Sequence, residues 1–374
     1  MWIGSGPIRN TLTVGLGMAA WTLCTQHTVV DLSGERPRPM LSSVTAMRTT
    51  QALVVTEPGG LDVLQLQERE VGEPAEGQLL VRVAAAGVNF VDTYQRAGVY
   101  PMQTPYVMGN EGAGTVEAVG PGVRETKVGD RVAWSQTLGS AAGLALIPES
   151  DTVPVPDEIA TDVAAGVLLQ GMTAHYLVNS TYPVAEGDSV LVHAAAGGVG
   201  QLLVQLAKAK GARVIGTAGS EEKADKARAL GADEVINYRE VSDVAAAVRG
   251  LTGGQGVAVV YDGVGKDTFD GSLASLRPRG VLALFGAASG QVPPFDLQRL
   301  NAAGSLFVTR PTLKHYILTR DELLWRGREI FDAVAAGTLQ VEIGGRYLFS
   351  DAQQAYEDLT GRRTTGKLLL MPSA

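Results

Sequence analysis

The sequence predicts an α/β protein in two parts: a doubly wound parallel sheet and a glycine-rich β domain. Three observations carry this. A Val- and Leu-rich run at 189–194 leads through glycines into an amphipathic segment, the strand–turn–helix unit of a parallel sheet. Strand-like and helix-like runs then alternate as far as residue 310. Earlier in the chain, small and β-branched residues alternate with glycine at turn positions, which suggests a partly open barrel.

The first of these is residues 189–200, SVLVHAAAGGVG. Its apolar half reads as a buried strand. The following segment 201–210, QLLVQLAKAK, puts Leu202, Leu203, Leu206 and Ala207 on one helical face, and Gly211 stands where a helix C-cap belongs. Glycines between strand and helix are where a dinucleotide pyrophosphate meets backbone N–H groups and the helix dipole. The usual G-x-G-x-x-G begins with Gly, whereas this chain has Ala195, followed by Gly197, Gly198, Val199 and Gly200. Gly197 suits close approach of the pyrophosphate and Gly200 close helix–strand packing. Small residues also occur in ordinary tight turns, so this stretch alone is a weak signal.

Arg213–Ala218 is the second strand. An NAD-type fold places an acid at its end, on the ribose 2′-hydroxyl. Thr217-Ala218-Gly219-Ser220 carries none. Lys223 instead falls in the first turn of the next helix, 221–230, with Ser220 as its N-cap. A cation there opposes the helix dipole. Two readings stay open: a solvated Lys offset by Glu221 and Glu222, or a partner for a 2′-phosphate and hence NADPH over NADH. Further strands are expected at 234–238, 257–264, 280–286 and 305–310, with helices such as 241–251 and 268–276 between them.

Composition bounds the function. The 374 residues are 45% hydrophobic and 19% charged, globular values for about two domains. A net charge of -8 disfavours nucleic acid. Cys24 is the single cysteine, and His27, His175, His193 and His315 include no pair at ligand spacing. No metal is therefore expected. Residues 1–46 look unlike the rest. Residues 11–24 faintly resemble a secretory apolar region but contain Gly15 and Gly17 and are too short to span a bilayer. Pro37 and Pro39 read as linker. This segment is read as a dispensable leader or a start set too far upstream, with Met47 as the working start and the cytoplasm as the expected location.

In the first domain, 51–56, 54–66 and 78–86 are read as strands, with turns at Gly59-Gly60 and Glu76-Gly77. GNEGAGTVEAVGPG at 109–122 and VGDRV at 128–132 continue the pattern.

Several motifs now stand in one order: GVNFVDTYQRAGVYP at 87–101, GNEGAG, QGMTAHYL at 170–177, HAAAGGVG, and VTRPTL at 308–313. In these the chain resembles the quinone oxidoreductases, the zeta-crystallin-like, zinc-free branch of the medium-chain dehydrogenase/reductases. The resemblance runs from about residue 50 to 372. It implies a GroES-like catalytic domain split in sequence, 47–169 with 311–374, around a Rossmann domain at 170–310. It also implies a homodimer joined through the cofactor domains. The sixth strand, an apolar sheet edge, agrees with that.

The resemblance places Asn89 and Asp92 beside the nicotinamide half of the cofactor, and counts Lys367 among the cofactor residues. For Asn89 the alternative is a local Asx-type turn. Gln170 and Thr173 suit phosphate or ribose contacts; their alternative is helix capping. Tyr238 either joins Lys223 on a 2′-phosphate or is a half-buried aromatic with a wet tip. Phe285 and Gly286 end the fifth strand, where bare backbone suits the nicotinamide. Tyr94 and Tyr100 are candidate proton donors or pocket walls. Arg96 and Arg310 are candidates to orient a carbonyl, with surface solvation as the alternative. His193 is read as a satisfied core residue. The family commonly carries an aromatic in a G-x-Y pattern where this chain has Gly139-Ser140-Ala141.

The reading is an NADPH-dependent reductase that passes hydride, or single electrons, to quinones. The runner-up is an enoyl or alkenal reductase acting on a conjugated carbonyl. A third reading is a non-catalytic NADPH-binding or RNA-binding crystallin-like protein.

Overall fold

The computed structural model describes residues 47–361 and 363–373. The expected leader, 1–46, lies outside them.

The chain first lays down β1 (Arg48–Val55), β2 (Leu64–Val71) and β3 (Gln78–Gly87). The run expected as one strand at 54–66 is two: β1 ends at Val55, a 3₁₀ turn spans Leu61–Val63, and β2 returns antiparallel, pairing Val55 with Leu64. Pro58-Gly59-Gly60 breaks the run. α1 (Phe90–Arg96) follows, then β4 (Tyr106–Val107), β5 (Glu111–Val119), β6 (Arg131–Ser135), β7 (Leu144–Pro148) and β8 (Thr152–Pro154). α2 (Thr161–Tyr176) leads out of this region.

The alternating half follows: β9 (Ser189–Val192), α3 (Gly198–Ala209), β10 (Arg213–Ala218), α4 (Glu221–Ala229), β11 (Glu234–Asn237), α5 (Val244–Leu251), β12 (Val257–Asp262), α6 (Phe269–Ser275), β13 (Leu276–Leu284), α7 (Gln298–Ala302) and β14 (Phe307–Thr309). These six strands form one parallel sheet in the order β11-β10-β9-β12-β13-β14. That order, 3-2-1-4-5-6 in sequence terms, is a doubly wound nucleotide-binding sheet. Burial explains the apolar runs: every residue of β12, at the centre, is buried, because helices cover both faces. Gly211 ends α3 in the left-handed region at φ 80°, as a C-cap glycine should.

The chain closes with α8 (Arg320–Ala335), β15 (Ile343–Leu348), α9 (Ala352–Thr360) and β16 (Lys367–Met371). These last strands join the first region. The second sheet runs β15-β16-β3-β5-β6-β8, with β7 also on β3. β16 pairs antiparallel with β3, matching Leu369 with Gly87. A small sheet, β2-β1-β4, completes that end.

α2 is the common element. It packs on β3, β5, β6 and β16 of the mixed sheet and on α3 of the nucleotide-binding half. Its composition, TDVAAGVLLQGMTAHY, is apolar nearly all round, as a helix enclosed on most sides must be. One core therefore runs from Ala85 and Ala113 through Leu168 and Met172 to Val190 and Val192. No helix among the described residues is long and apolar enough to cross a membrane.

Candidate active site

A cavity of about 800 Å³ opens along the C-terminal ends of the parallel strands. Each strand delivers part of its wall. Ala194 follows β9, Thr217 and Gly219 lie at the end of β10, Tyr238 follows β11, Gly263 follows β12, Phe285 and Gly286 follow β13, and Arg310 follows β14. The crevice outside the carboxyl ends of such strands is where doubly wound sheets take ligands. The facing wall comes from Asn89, Tyr94 and Tyr100 around α1 and from Gln170 and Thr173 on α2.

The glycine turn forms one end. Gly197 is the N-cap of α3, and Gly197, Gly198, Val199 and Gly200 all line the cavity. A helix leaves its first-turn N–H groups without intrahelical acceptors, and here they open on the cavity with the positive end of the dipole. A Cβ on Gly200 would run into the Ala194 carbonyl, so only glycine permits this approach of helix to strand. Ala195, in the turn after β9, packs against Gly216 of β10. A Cβ there would lie 2.8 Å from the Ala195 methyl.

Beyond β10 the wall has no acid among Thr217, Ala218 and Gly219, and it includes Lys223 and Tyr238. Ser220 is not on the wall; its Oγ accepts the Lys223 N–H at 3.4 Å and caps α4. The Tyr238 hydroxyl lies over Gly219, in space a Cβ would fill, and the side chain is otherwise exposed.

At the other end, Asn89 is buried and caps α1 through the Asp92 carboxylate, which accepts the Asn89 N–H at 2.9 Å. The Asn89 side chain donates to Gly87 O and Glu111 Oε2, at 3.2 and 2.9 Å. Its Oδ1 accepts from Lys367 Nζ at 2.7 Å. Asp92 and Lys367 are both fully buried and neither lines the cavity. Asp92 also accepts from Asn110 Nδ2 and the Tyr356 hydroxyl, at 2.7 and 3.0 Å. Burial outweighs these donors and pushes its carboxyl up to about 6.

Tyr94 and Tyr100 both reach the wall and meet edge to face, with ring centroids 5.5 Å apart. Burial raises the Tyr94 phenol, so it stays protonated through neutral pH. Gln170 and Thr173 sit within α2, not at its ends, so neither is a helix cap. The Gln170 amide fills the space where a Cβ on Gly198 would lie, and Thr173 donates to Leu169 O at 2.6 Å.

Asp92 and Lys367, expected beside the cofactor, thus do not reach the cavity, and other expectations change as well. Arg96 is buried, not solvated, and its Nε and Nη1 have no hydrogen-bond partner among the described residues. Ala141 is buried in the core beside Met108 and does not line the cavity. Arg310 does reach the cavity while staying exposed. His193 is buried and doubly hydrogen-bonded, as read from the sequence.

Sequence reading missed Glu111. It is wholly buried, and its Oε1 accepts the Leu169 N–H of α2 at 2.7 Å. The available signal was an acid inside a strand of small residues, since a buried carboxylate demands partners. Among the described residues no group of three or more His, Cys, Asp and Glu could hold a metal ion.

Comparison with known proteins agrees with this geometry. Residues 75–182 match the family model described as the alcohol dehydrogenase GroES-like domain, and 198–323 the one described as zinc-binding dehydrogenase. A quinone oxidoreductase of Salmonella typhimurium is 46% identical over 84% of this chain and 97% of its own. A 2-haloacrylate reductase of a Burkholderia species is 44% identical over 86% of this chain and 99% of its own. A mycobacterial protein solved as a complex with NADPH superposes with a TM-score of 0.83 at 51% identity, covering 86% of this chain and 100% of that one. This chain belongs to the quinone oxidoreductase family of the medium-chain dehydrogenase/reductases.

Proposed function

We propose that this chain is an NADPH-dependent quinone reductase. The carrying observation is one continuous cavity. It joins the glycine turn and the end of β10, which bears Lys223 and has no acid at 217–219, to the Asn89–Tyr100 loop. The residues fit a phosphorylated dinucleotide: N–H groups for the pyrophosphate, and Lys223 with Tyr238 where an NAD-type site has a carboxylate. A Salmonella relative named as a quinone oxidoreductase and a mycobacterial relative solved with NADPH support the reading.

When bound, NADPH supplies the hydride from C4 of its nicotinamide. The chain's residues position and shield. Phe285 and Gly286 offer ring and bare backbone at the sheet's end, and Asn89, held rigid by Lys367 and Glu111, presents a fixed polar wall. Tyr94 and Tyr100 form the side against which a flat acceptor ring packs. Holding the partners in register is what these residues contribute to the rate. No step is assigned to a metal. We take 47–169 with 311–374 as the catalytic part, 170–310 as the nucleotide part, and two copies as the working assembly.

Reduction of a conjugated carbonyl or activated alkene is the second reading, favoured by the Burkholderia relative named for 2-haloacrylate. The test is NADPH and NADH oxidation against a simple quinone, a conjugated enone and no acceptor. Quinone-dependent turnover with NADPH preferred is expected. Turnover with the enone alone would move the assignment to the second reading, and binding without turnover would reject both.

A further inference from the structure

A directed chain of hydrogen bonds runs beneath the glycine turn. It starts at Asp262, the last residue of β12, which is fully buried. Its Oδ1 accepts the backbone N–H of Val264 and Gly265, at 2.8 and 3.0 Å. The hydroxyls of Thr268 and Ser272 each lie 2.8 Å from Oδ2. A group ringed by donors acts as a carboxylate and only accepts. Ser272 therefore directs its one proton to Asp262, and its oxygen is left to accept from His193 Nε2, 3.0 Å away. That fixes the tautomer: the proton sits on Nε2, and Nδ1 is an acceptor. Burial favours the neutral ring. At Nδ1, 3.1 Å away, lies Thr217 Oγ1, which must donate there. The Thr217 oxygen in turn accepts the Ala194 N–H at 3.2 Å.

The end of the chain is the strained part of the site. Ala194 has a φ of 50°, in the left-handed region a Cβ disfavours. Thr217 holds it from both groups, since its carbonyl also accepts the Ala195 N–H at 2.9 Å. Ala194 O then accepts the Gly197 N–H at 2.8 Å, which sets the N-cap of α3.

We propose that His193 is the positioning residue of the phosphate-binding turn, linking Asp262 and Ser272 to Thr217 so that Ala194–Gly197 keeps the shape that presents α3 to the cofactor. This rests on the NADPH reading. The imidazole, just past β9, meets Thr217 of β10 directly and Asp262 of β12 through Ser272 of α6.

Two amides separate the nitrogens. Asn at 193 can place an oxygen near the Nδ1 position and keep an acceptor for Thr217. Gln can place an amide N–H near the Nε2 position, serving Ser272 while leaving Thr217 without its acceptor. The measurements are the NADPH Kd by fluorescence titration and kcat at saturating NADPH for wild type, His193→Asn, His193→Gln and His193→Phe. Gln and Phe should weaken NADPH about tenfold, with kcat falling less than affinity, and Asn should retain most of the affinity. Equal losses for Asn and Gln, or none for Gln and Phe, would overturn the proposal. Nitrogen-15 NMR of the wild-type protein gives a reading independent of any variant's folding: it should report the Nε2–H tautomer, and the Nδ1–H tautomer would overturn the chain. Failure of wild type itself to bind NADPH would reject the cofactor reading and this inference with it.

Discussion

Lys367 Nζ lies 2.7 Å from Glu111 Oε2, an ion pair in which the two side chains are 2% and 0% exposed. Asn89 closes the ring by accepting from Lys367 and donating to Glu111. Glu111 reaches on to the Leu169 backbone. Two strands, the N-cap of α1 and α2 thus meet on one pair of charges. Removing one partner leaves the other buried and uncompensated, which costs about 3–5 kcal/mol. Lys367→Met should lower the denaturation midpoint accordingly. Adding Glu111→Leu to it should recover part of the loss, because the stranded charge goes too. A single variant as stable as wild type in urea melts would refute this.

Asp92 gives a pH dependence. Its carboxyl is raised from the model-peptide value of 3.8 to about 6. Between these values the native state binds more proton than the unfolded chain, so stability falls as pH rises. The contribution is fully present below 3.8 and lost by the time pH passes about 6. The stability of wild type relative to Asp92→Asn should therefore decline from pH 4 to pH 7, about the interval those values span. A difference that stays flat, or that grows with pH, in paired denaturation curves would show that burial does not dominate at this carboxyl.

Much of the nucleotide-binding half was legible because its physics is local. Strands buried on both faces write unbroken apolar runs, and Gly200 and Gly211 stand where a helix start and stop demand them. The other half depends on distant pairings that periodicity does not carry. Lys367 and Glu111 are separated by 256 positions. Even in the nucleotide-binding half, the link from His193 to Ser272 spans 79 positions and escapes periodicity. Arg96 looked solvated because α1 is short and polar; the neighbours that bury it come from elsewhere in the fold.

Lys223 tests the cofactor assignment. Losing a charge-assisted phosphate contact should cost about 1.5–3 kcal/mol. Lys223→Ala should weaken NADPH by that amount and NADH hardly at all, measured as dissociation constants by titration. Equal losses would return Lys223 to the solvated role, offset by Glu221 and Glu222.

Phe307 tests the assembly. It lies on β14, the outer strand of the parallel sheet, and is 60% exposed. An apolar edge of this kind invites pairing with a second copy about a two-fold axis. Light scattering should report a dimer at micromolar concentration for wild type and a shift toward monomer for Phe307→Lys. A monomeric wild type would remove the edge from consideration.

The last prediction separates hydride delivery from proton delivery. Tyr94 and Tyr100 share one wall and touch edge to face, so each can approach the same bound acceptor. A quinone accepts hydride to give a phenolate, which is stable without an acid at hand. Tyr100→Phe and Tyr94→Phe keep the ring that packs on the acceptor, and each should lower quinone turnover only a few-fold, about the effect of losing one neutral hydrogen bond. An enone must take a proton at its α-carbon, and loss of the general acid there should cost roughly 100-fold or more. Burial keeps the Tyr94 phenol protonated, so the donor is in its competent form at neutral pH. Turnover of wild type and both variants on one quinone and one enone decides the matter. A hundred-fold quinone defect in either variant, with NADPH affinity unchanged, would show that proton delivery and not positioning limits this reaction.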